Sequence, residues 1–151
     1  MTAIDDSTTA PRLRSISHEA EVLLGSSALA HVVTRNCDGT PQVSVVWCAV
    51  HGDEVRFVSE GATAKVRNLR RDPRVVLSIE DEERNLRGNQ HHLVIRGIAR
   101  LDHGPDPDLF DALCRTYLGQ LEPSLPLRDS PTAVVVTVTV EHIGGNGPWM
   151  K

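Results

Sequence analysis

Two hydroxyls and one ammonium group, those of Ser59, Thr63 and Lys65, lie close together in the sequence. The segment 57–69 around them has the pattern of a strand end, a turn of small residues and the start of a helix. A helix N-terminus presents backbone N–H groups without intrahelical partners, together with the positive end of the helix dipole. These groups predict a phosphate site. The residue types also fit an ordinary helix cap beside a solvated lysine, and the spacing alone leaves both interpretations open.

The elements before this segment follow an alternating apolar pattern that is typical of strands. Strands are predicted over 28–35, 42–50 and 54–59, with tight turns at 36–39 and 51–53. The Asp-Gly pair in the first turn is a strong hairpin signal. We therefore expect three antiparallel strands in a meander.

The rest of the chain alternates between helical and strand patterns. They predict a first helix between caps at Ser17 and Gly25, a helix over 62–71 and a strand over 74–80. A charged loop over 81–89, a strand over 91–101 and a helix from Asp106 to Gly119 are predicted next. A loop over 119–131 and a strand over 132–140 complete the prediction. Gly97 interrupts the long strand and indicates a bulge or a bend. Six or so strands with inserted helices predict a small barrel.

Composition excludes several classes of function. The net charge is −4 and aromatic residues are only 3%, which argues against nucleic acid as a partner, because such binding needs a basic face and stacking surfaces. The adjacent pair His91 and His92 would point to opposite faces of a strand, so we expect no metal site there.

Length, cysteine content and hydropathy indicate one domain and no membrane partner. Residues 1–14 are polar and are expected to form a mobile arm, followed by a single domain over 15–151. The three cysteines share no ligand spacing, which favours a reducing compartment. Eighteen consecutive apolar residues occur nowhere, so we expect a cytoplasmic protein.

Two linked motifs give a more specific indication. They are Thr34-x3-Asp38-Gly39-x-Pro41-x3-Val45-Val46-Trp47 and Ser59-x3-Thr63-x-Lys65-x2-Asn68-Leu69-Arg70-Arg71-Asp72-Pro73-Arg74-Val75. At this spacing they resemble the family of pyridoxamine-phosphate-oxidase-like split barrels, and most closely its branch that uses the deazaflavin coenzyme F420. The resemblance covers about 29–101 well and extends less specifically to Trp149.

The resemblance implies a mainly β fold with inserted helices, namely a six-stranded antiparallel split barrel. It also implies a homodimer with cofactor sites at the interface. Lys65 and Asn68 match the family's phosphate-binding residues, with Ser59 and Thr63 on the same turn. The strand whose backbone faces the cofactor ring corresponds to Val45, Val46 and Trp47. Arg67, like Arg70 and Arg71, is expected to reach the phosphate or a polyanionic tail.

The implied activity is hydride transfer from reduced F420 to a small, conjugated, electron-poor substrate. An FMN-dependent reductase or oxidase is the alternative, and a non-catalytic cofactor or haem carrier is a second one. Oxidation of vitamin B6 is disfavoured, because Ala64 stands where the oxidase subgroup has an arginine before its lysine. The substrate is expected to meet the loops 81–89 and 119–131. No proton donor is identifiable.

The C-terminal aromatic residue Trp149 has two possible roles. It follows segment 144–148, which is too rich in glycine to predict a strand. We expect Trp149 either to fold over the cofactor cleft or to plug the open end of the barrel.

Overall fold

The computed structural model describes residues 15–151, so the arm expected over 1–14 lies outside the described residues. Their helices are α1 (His18–Leu24), α2 (Ala64–Arg71) and α3 (Pro107–Leu118), with short 3-10 helices at Pro126–Arg128 and Pro148–Met150. The strands are β1 (Ala30–Arg35), β2 (Pro41–Val46), β3 (Ala49–His51), β4 (Glu54–Glu60), β5 (Arg74–Arg84), β6 (Gln90–His103) and β7 (Ala133–Asn146). No helix within 15–151 has the length and apolar character needed to cross a bilayer.

The seven strands form one antiparallel sheet in the order β2-β1-β5-β6-β7-β4-β3. Its outermost strands, β2 and β3, are separated along the chain only by Trp47 and Cys48. The sheet must therefore curl until two residues can connect its opposite edges. The described strands number seven where six were expected, and β2 is not paired with β3.

The predicted meander is wrong in its middle strand. The expected strand 42–50 breaks at Trp47 and Cys48, so its first half pairs with β1 and its second half with β4. The break has a side-chain partner: the Cys48 N–H donates to the Tyr117 hydroxyl at 3.1 Å. The Trp47 ring stacks on the Tyr117 ring. This partner lies 69 residues away in sequence, so no local pattern could indicate it.

The core is mainly aliphatic and β-branched. The strands β1, β4, β5, β6 and β7 contribute alternate residues to this core, and β2 contributes Val46. The helix α1 packs against one end of the curled sheet through Ala20, Leu23 and Leu24. A second, smaller cluster forms where Leu109 and Leu113 of α3 cover Val135 on the outer face. Val135 belongs to β7, and Val58 of β4 packs against the same cluster, so both strands lie between the core and α3.

The predicted helix ends are confirmed. The Ser17 side chain accepts from the Ala20 N–H, and the Asp106 side chain accepts from the Leu109 N–H. Gly119 ends α3 in the left-handed conformation at φ 73°. Local capping chemistry was therefore readable from the sequence.

Two predicted boundaries in the second half are wrong. The expected charged loop 81–89 is shorter than predicted, because β5 continues to Arg84 past an irregularity after Glu80 and only 85–89 form a turn. The first three residues of segment 144–148, judged too rich in glycine for a strand, also belong to β7, which pairs Gly145 with Leu93. A Cβ on Gly145 would lie 2.1 Å from the His92 carbonyl oxygen, so glycine here permits the close approach of β6.

The irregularity expected at Gly97 is confirmed. The register of β6 against β7 shifts between Arg96 and Gly97. A Cβ at Gly97 would lie 2.2 Å from the Thr139 carbonyl oxygen, so the two strands could not approach as they do with any larger residue. Such a bulge increases the local bend and twist, here between two interior strands of the sheet.

Candidate functional site

A cleft of about 410 Å³ lies between the end of β2, the β4–α2 turn and α3. Six of the nine residues predicted from the sequence line it: Val45, Val46, Trp47, Ser59, Thr63 and Lys65. The opposing wall is apolar and consists of Phe110, Leu113, Leu125, Pro126 and Leu127. The cleft thus combines one polar turn with two mainly apolar walls.

The polar turn has its own hydrogen bonds. The Ser59 and Thr63 hydroxyl oxygens lie 3.0 Å apart, and the Thr63 hydroxyl donates to the Glu60 carbonyl at 3.0 Å. Thr63 is the N-cap residue of α2, but its side chain makes no capping hydrogen bond. The first amides of α2 therefore lack the side-chain acceptor that an ordinary cap would give them.

Lys65 is half-buried at the edge of this turn. Burial lowers the pKa of its ammonium below the ordinary value, because a charged group loses water there. Within residues 15–151 no carboxylate lies within ion-pair distance of Lys65. Partial desolvation without a fixed counter-ion makes this ammonium suited to an anionic ligand.

Val45, Val46 and Trp47 bring a strand edge to the cleft. β2 is an outermost strand, so the peptide groups on its free side have no neighbouring strand to pair with. Flat heteroaromatic rings with amide-like edges can bind such peptide groups while their faces contact apolar side chains.

Asn68 does not line the cleft. Its side chain is buried, and its Nδ2 donates to the Thr34 hydroxyl at 3.1 Å and to Asn36 Oδ1 at 3.0 Å. Its Oδ1 accepts from Arg71. These bonds attach α2 to β1 and its turn, so Asn68 fixes the position of the helix that carries Lys65.

Arg67 is directed away from the cleft. Its guanidinium donates to the Ala62 carbonyl, and the side chain lines a separate groove of about 560 Å³ with Arg70 and His103. Arg71 instead donates to the Arg35 carbonyl, so of the predicted cationic residues Lys65 alone lines the cleft.

Trp149 lies in the main core and not at the cleft of this chain. It is 7% exposed, and its Nε1 donates to the His92 carbonyl at 3.2 Å. The His91 ring meets it edge to face, with centroids 6.2 Å apart. Of the two expected roles, this geometry is that of a plug at the barrel end beside α1.

The two loops expected to meet a substrate differ in position. The 119–131 loop supplies Leu125, Pro126 and Leu127 to the cleft, whereas no residue of 81–89 lines it. Arg128 holds the contributing loop to α3 through two contacts with the Asp111 carboxylate, at 2.9 and 3.0 Å. This ion pair lowers the pKa of Asp111.

Phe110 and Leu113 are cleft residues that the sequence did not single out. They belong to the apolar face of α3, and periodicity alone cannot distinguish a helix face that covers a core from one that lines a ligand cleft. Within residues 15–151 no three His, Cys, Asp or Glu side chains are grouped as a metal site would require.

Comparisons with known proteins agree with this geometry. A family model described as pyridoxamine 5'-phosphate oxidase matches residues 16–146. A solved F420 reductase is 31% identical, with a TM-score of 0.68 over 82% of this chain and 94% of that chain. Two further structures share the fold. The conserved hypothetical protein Rv2991 of Mycobacterium tuberculosis is 24% identical, with a TM-score of 0.70 over 89% of this chain and 88% of that chain. A heme binding protein of Mycobacterium smegmatis is 19% identical, with a TM-score of 0.66 over 91% of this chain and 56% of that chain. No curated protein matches the sequence.

Replacing Trp149 by alanine should destabilise the protein by about 3–5 kcal/mol, because a large buried aromatic side chain and its hydrogen bond to the His92 carbonyl are lost. Urea unfolding measures this. Met150→Ala, at a neighbouring exposed position, serves as the control and should change stability little. A Trp149→Ala protein as stable as the parent, yet weaker in binding flavin or deazaflavin, would instead indicate a cofactor cover.

Proposed function

Because the chain belongs to the pyridoxamine 5'-phosphate oxidase family, we propose that it is an F420-dependent oxidoreductase. Reduced deazaflavin would supply a hydride to a small, conjugated, electron-poor substrate. The observation that carries the proposal is that a half-buried ammonium, a helix N-terminus and a free strand edge line one cleft. The 31% identical F420 reductase supports a deazaflavin over other cofactors of the family.

The phosphate of the cofactor would bind at the polar turn. Lys65 supplies the charge, whereas the amides that begin α2 supply directional hydrogen bonds. The linked hydroxyls of Ser59 and Thr63 lie on the same turn and can rotate to donate. The residues present therefore fit a phosphomonoester or phosphodiester group.

The ring system would lie against the backbone of Val45, Val46 and Trp47. The wall formed by Phe110 and Leu113 would keep water from the opposite side of the ring, and exclusion of water limits side reactions of a reduced cofactor. The protein's part is then to bind and orient the cofactor, and the redox chemistry belongs to the cofactor.

Glu60 is the only carboxyl group among the described residues that line the cleft. The Thr132 hydroxyl donates to it at 2.7 Å and lowers its pKa, so the carboxylate stays ionised near neutral pH. An ionised carboxylate cannot donate a proton. A proton needed by the substrate would therefore not come from a carboxylic acid among the described residues of the lining.

We also propose a homodimer. Val43 and Val45 are 56% and 51% exposed on the outer face of β2, and Val43 pairs with Val33 of β1. Exposed apolar side chains side by side on a sheet face favour association. A partner that covers this face would also cover the cleft, since Val45 belongs to both surfaces.

Parallel titration of the parent protein with F420 and FMN, followed by fluorescence quenching, tests the cofactor. We expect F420 to bind more tightly. Tighter binding of FMN would select the FMN-dependent alternative. Tight binding of either cofactor, or of haem, without turnover of any acceptor would select the carrier.

Replacing Lys65 by alanine should raise the dissociation constant for F420 about ten- to a hundredfold, since a hydrogen bond to a charged group contributes about 1.5–3 kcal/mol. Lys65→Arg should restore binding only partly, because a guanidinium approaches phosphate differently. The chain has one other lysine, Lys151, which is exposed, and Lys151→Ala is the matched control. Unchanged affinity of Lys65→Ala at low salt would remove the phosphate assignment.

Light scattering should find the parent protein as a dimer at micromolar concentration. Val43→Glu should shift it towards monomer, because the charge would be buried against the partner. Leu86→Glu, at the fully exposed tip of the β5–β6 turn, should leave the dimer intact. A monomeric parent, or a dimer that is insensitive to Val43→Glu, would contradict this interface.

A further inference from the structure

Tyr117 connects three distant parts of the chain next to the cleft without lining the cleft itself. Its hydroxyl accepts from the Cys48 N–H at 3.1 Å and donates to the Ala28 carbonyl at 3.0 Å. Its ring stacks on Trp47 with centroids 5.4 Å apart and planes 8° apart. We propose that Tyr117 is a positioning residue that holds the Trp47 wall of the cleft in the shape that receives the cofactor ring.

The backbone at the break between β2 and β3 needs hydrogen-bond partners from outside the sheet. Trp47 and Cys48 lie outside both strands, so no strand ladder supplies partners for their peptide groups. A buried amide without a partner is costly. The Tyr117 hydroxyl gives the Cys48 N–H its acceptor, and a second bond to Ala28 keeps the hydroxyl itself in place.

The Tyr117 hydroxyl stays protonated at neutral pH and so keeps this role. Burial raises the pKa of Tyr117 above its ordinary value, so the group stays protonated and can donate and accept at once. Burial also raises the pKa of the Cys48 thiol to about 11, so no thiolate forms beside it at neutral pH. The network is therefore neutral.

The Tyr117 ring also contacts the Trp47 ring. A nearly parallel aromatic neighbour restricts the rotamer of Trp47, which lines the cleft together with Val45 and Val46. The Tyr117 ring thus orients a side chain of the wall, while its hydroxyl orients the peptide next to it. Neither effect alters the charge at Lys65, which is carried by α2.

The two contributions are separable by substitution. Tyr117→Phe removes the hydroxyl and keeps the ring, whereas Tyr117→Leu removes both. Cys114→Ala is the matched control, because Cys114 is a fully buried residue of α3 that does not line the cleft. It should lower the melting temperature without changing the Trp47 wall.

The measurements use the full chain and rest on the proposed function for their cofactor. We expect Tyr117→Phe to raise the dissociation constant for F420 about two- to tenfold, the range for loss of one neutral hydrogen bond, and Tyr117→Leu to raise it further. Both should shift the absorption band of the bound cofactor. Combined with Lys65→Ala, the fold-changes should multiply, because Tyr117 acts through Trp47 and Cys48 and shares no hydrogen bond or ring contact with Lys65.

The inference is overturned if both Tyr117 variants behave as Cys114→Ala does, with a lower melting temperature but parental affinity and an unchanged band. If the parent binds neither F420 nor FMN, the proposed function fails and iodide quenching of tryptophan emission decides the inference. Stronger quenching in Tyr117→Phe than in Cys114→Ala then supports positioning of Trp47. Equal quenching in the two variants contradicts it.

Discussion

The chain passes directly from one edge strand of the sheet, β2, to the other, β3, and strand pairing is interrupted between them. The peptide groups at this break then need other hydrogen-bond partners. In this protein the break falls at Trp47 and Cys48, and the side chain of α3 that reaches it is Tyr117. The cleft opens at the same place, because a strand edge is exposed where the ladder ends. The curling of the sheet and the cleft therefore both follow from one requirement, which is that two residues connect the opposite edges of the sheet.

The position of the Lys65 ammonium at the cleft depends on how α2 is held. Its apolar face packs on the core through Val66 and Leu69, while Asn68 supplies the directional contacts to β1. A two-residue connection follows, in which Asp72 binds the Arg74 guanidinium at 2.7 Å and has its pKa lowered to about 2. With α2 held by its apolar face, by Asn68 and by its C-terminal connection, the scaffold sets the position of the backbone that carries Lys65.

Features with local causes could be predicted from the sequence. Ser17, Asp106 and Gly119 were recognised because capping depends on residues within one turn. Ser59, Thr63 and Lys65 were found because strand, turn and helix start are consecutive in the chain, whereas Val45, Val46 and Trp47 came from the family resemblance. The inward turn of Asn68 and the continuation of β7 through Gly145 were missed, because both depend on strands paired from distant segments.

The desolvation of Lys65 links ligand binding to protons. Burial lowers the pKa of this ammonium in the free protein, and an anion placed against it would raise the pKa again. Between the two pKa values, association takes up a proton from the medium, and affinity declines as the pH rises through the lower one. The heat of association there includes the ionisation enthalpy of the buffer, so calorimetry in two buffers would count the protons that the cleft takes up.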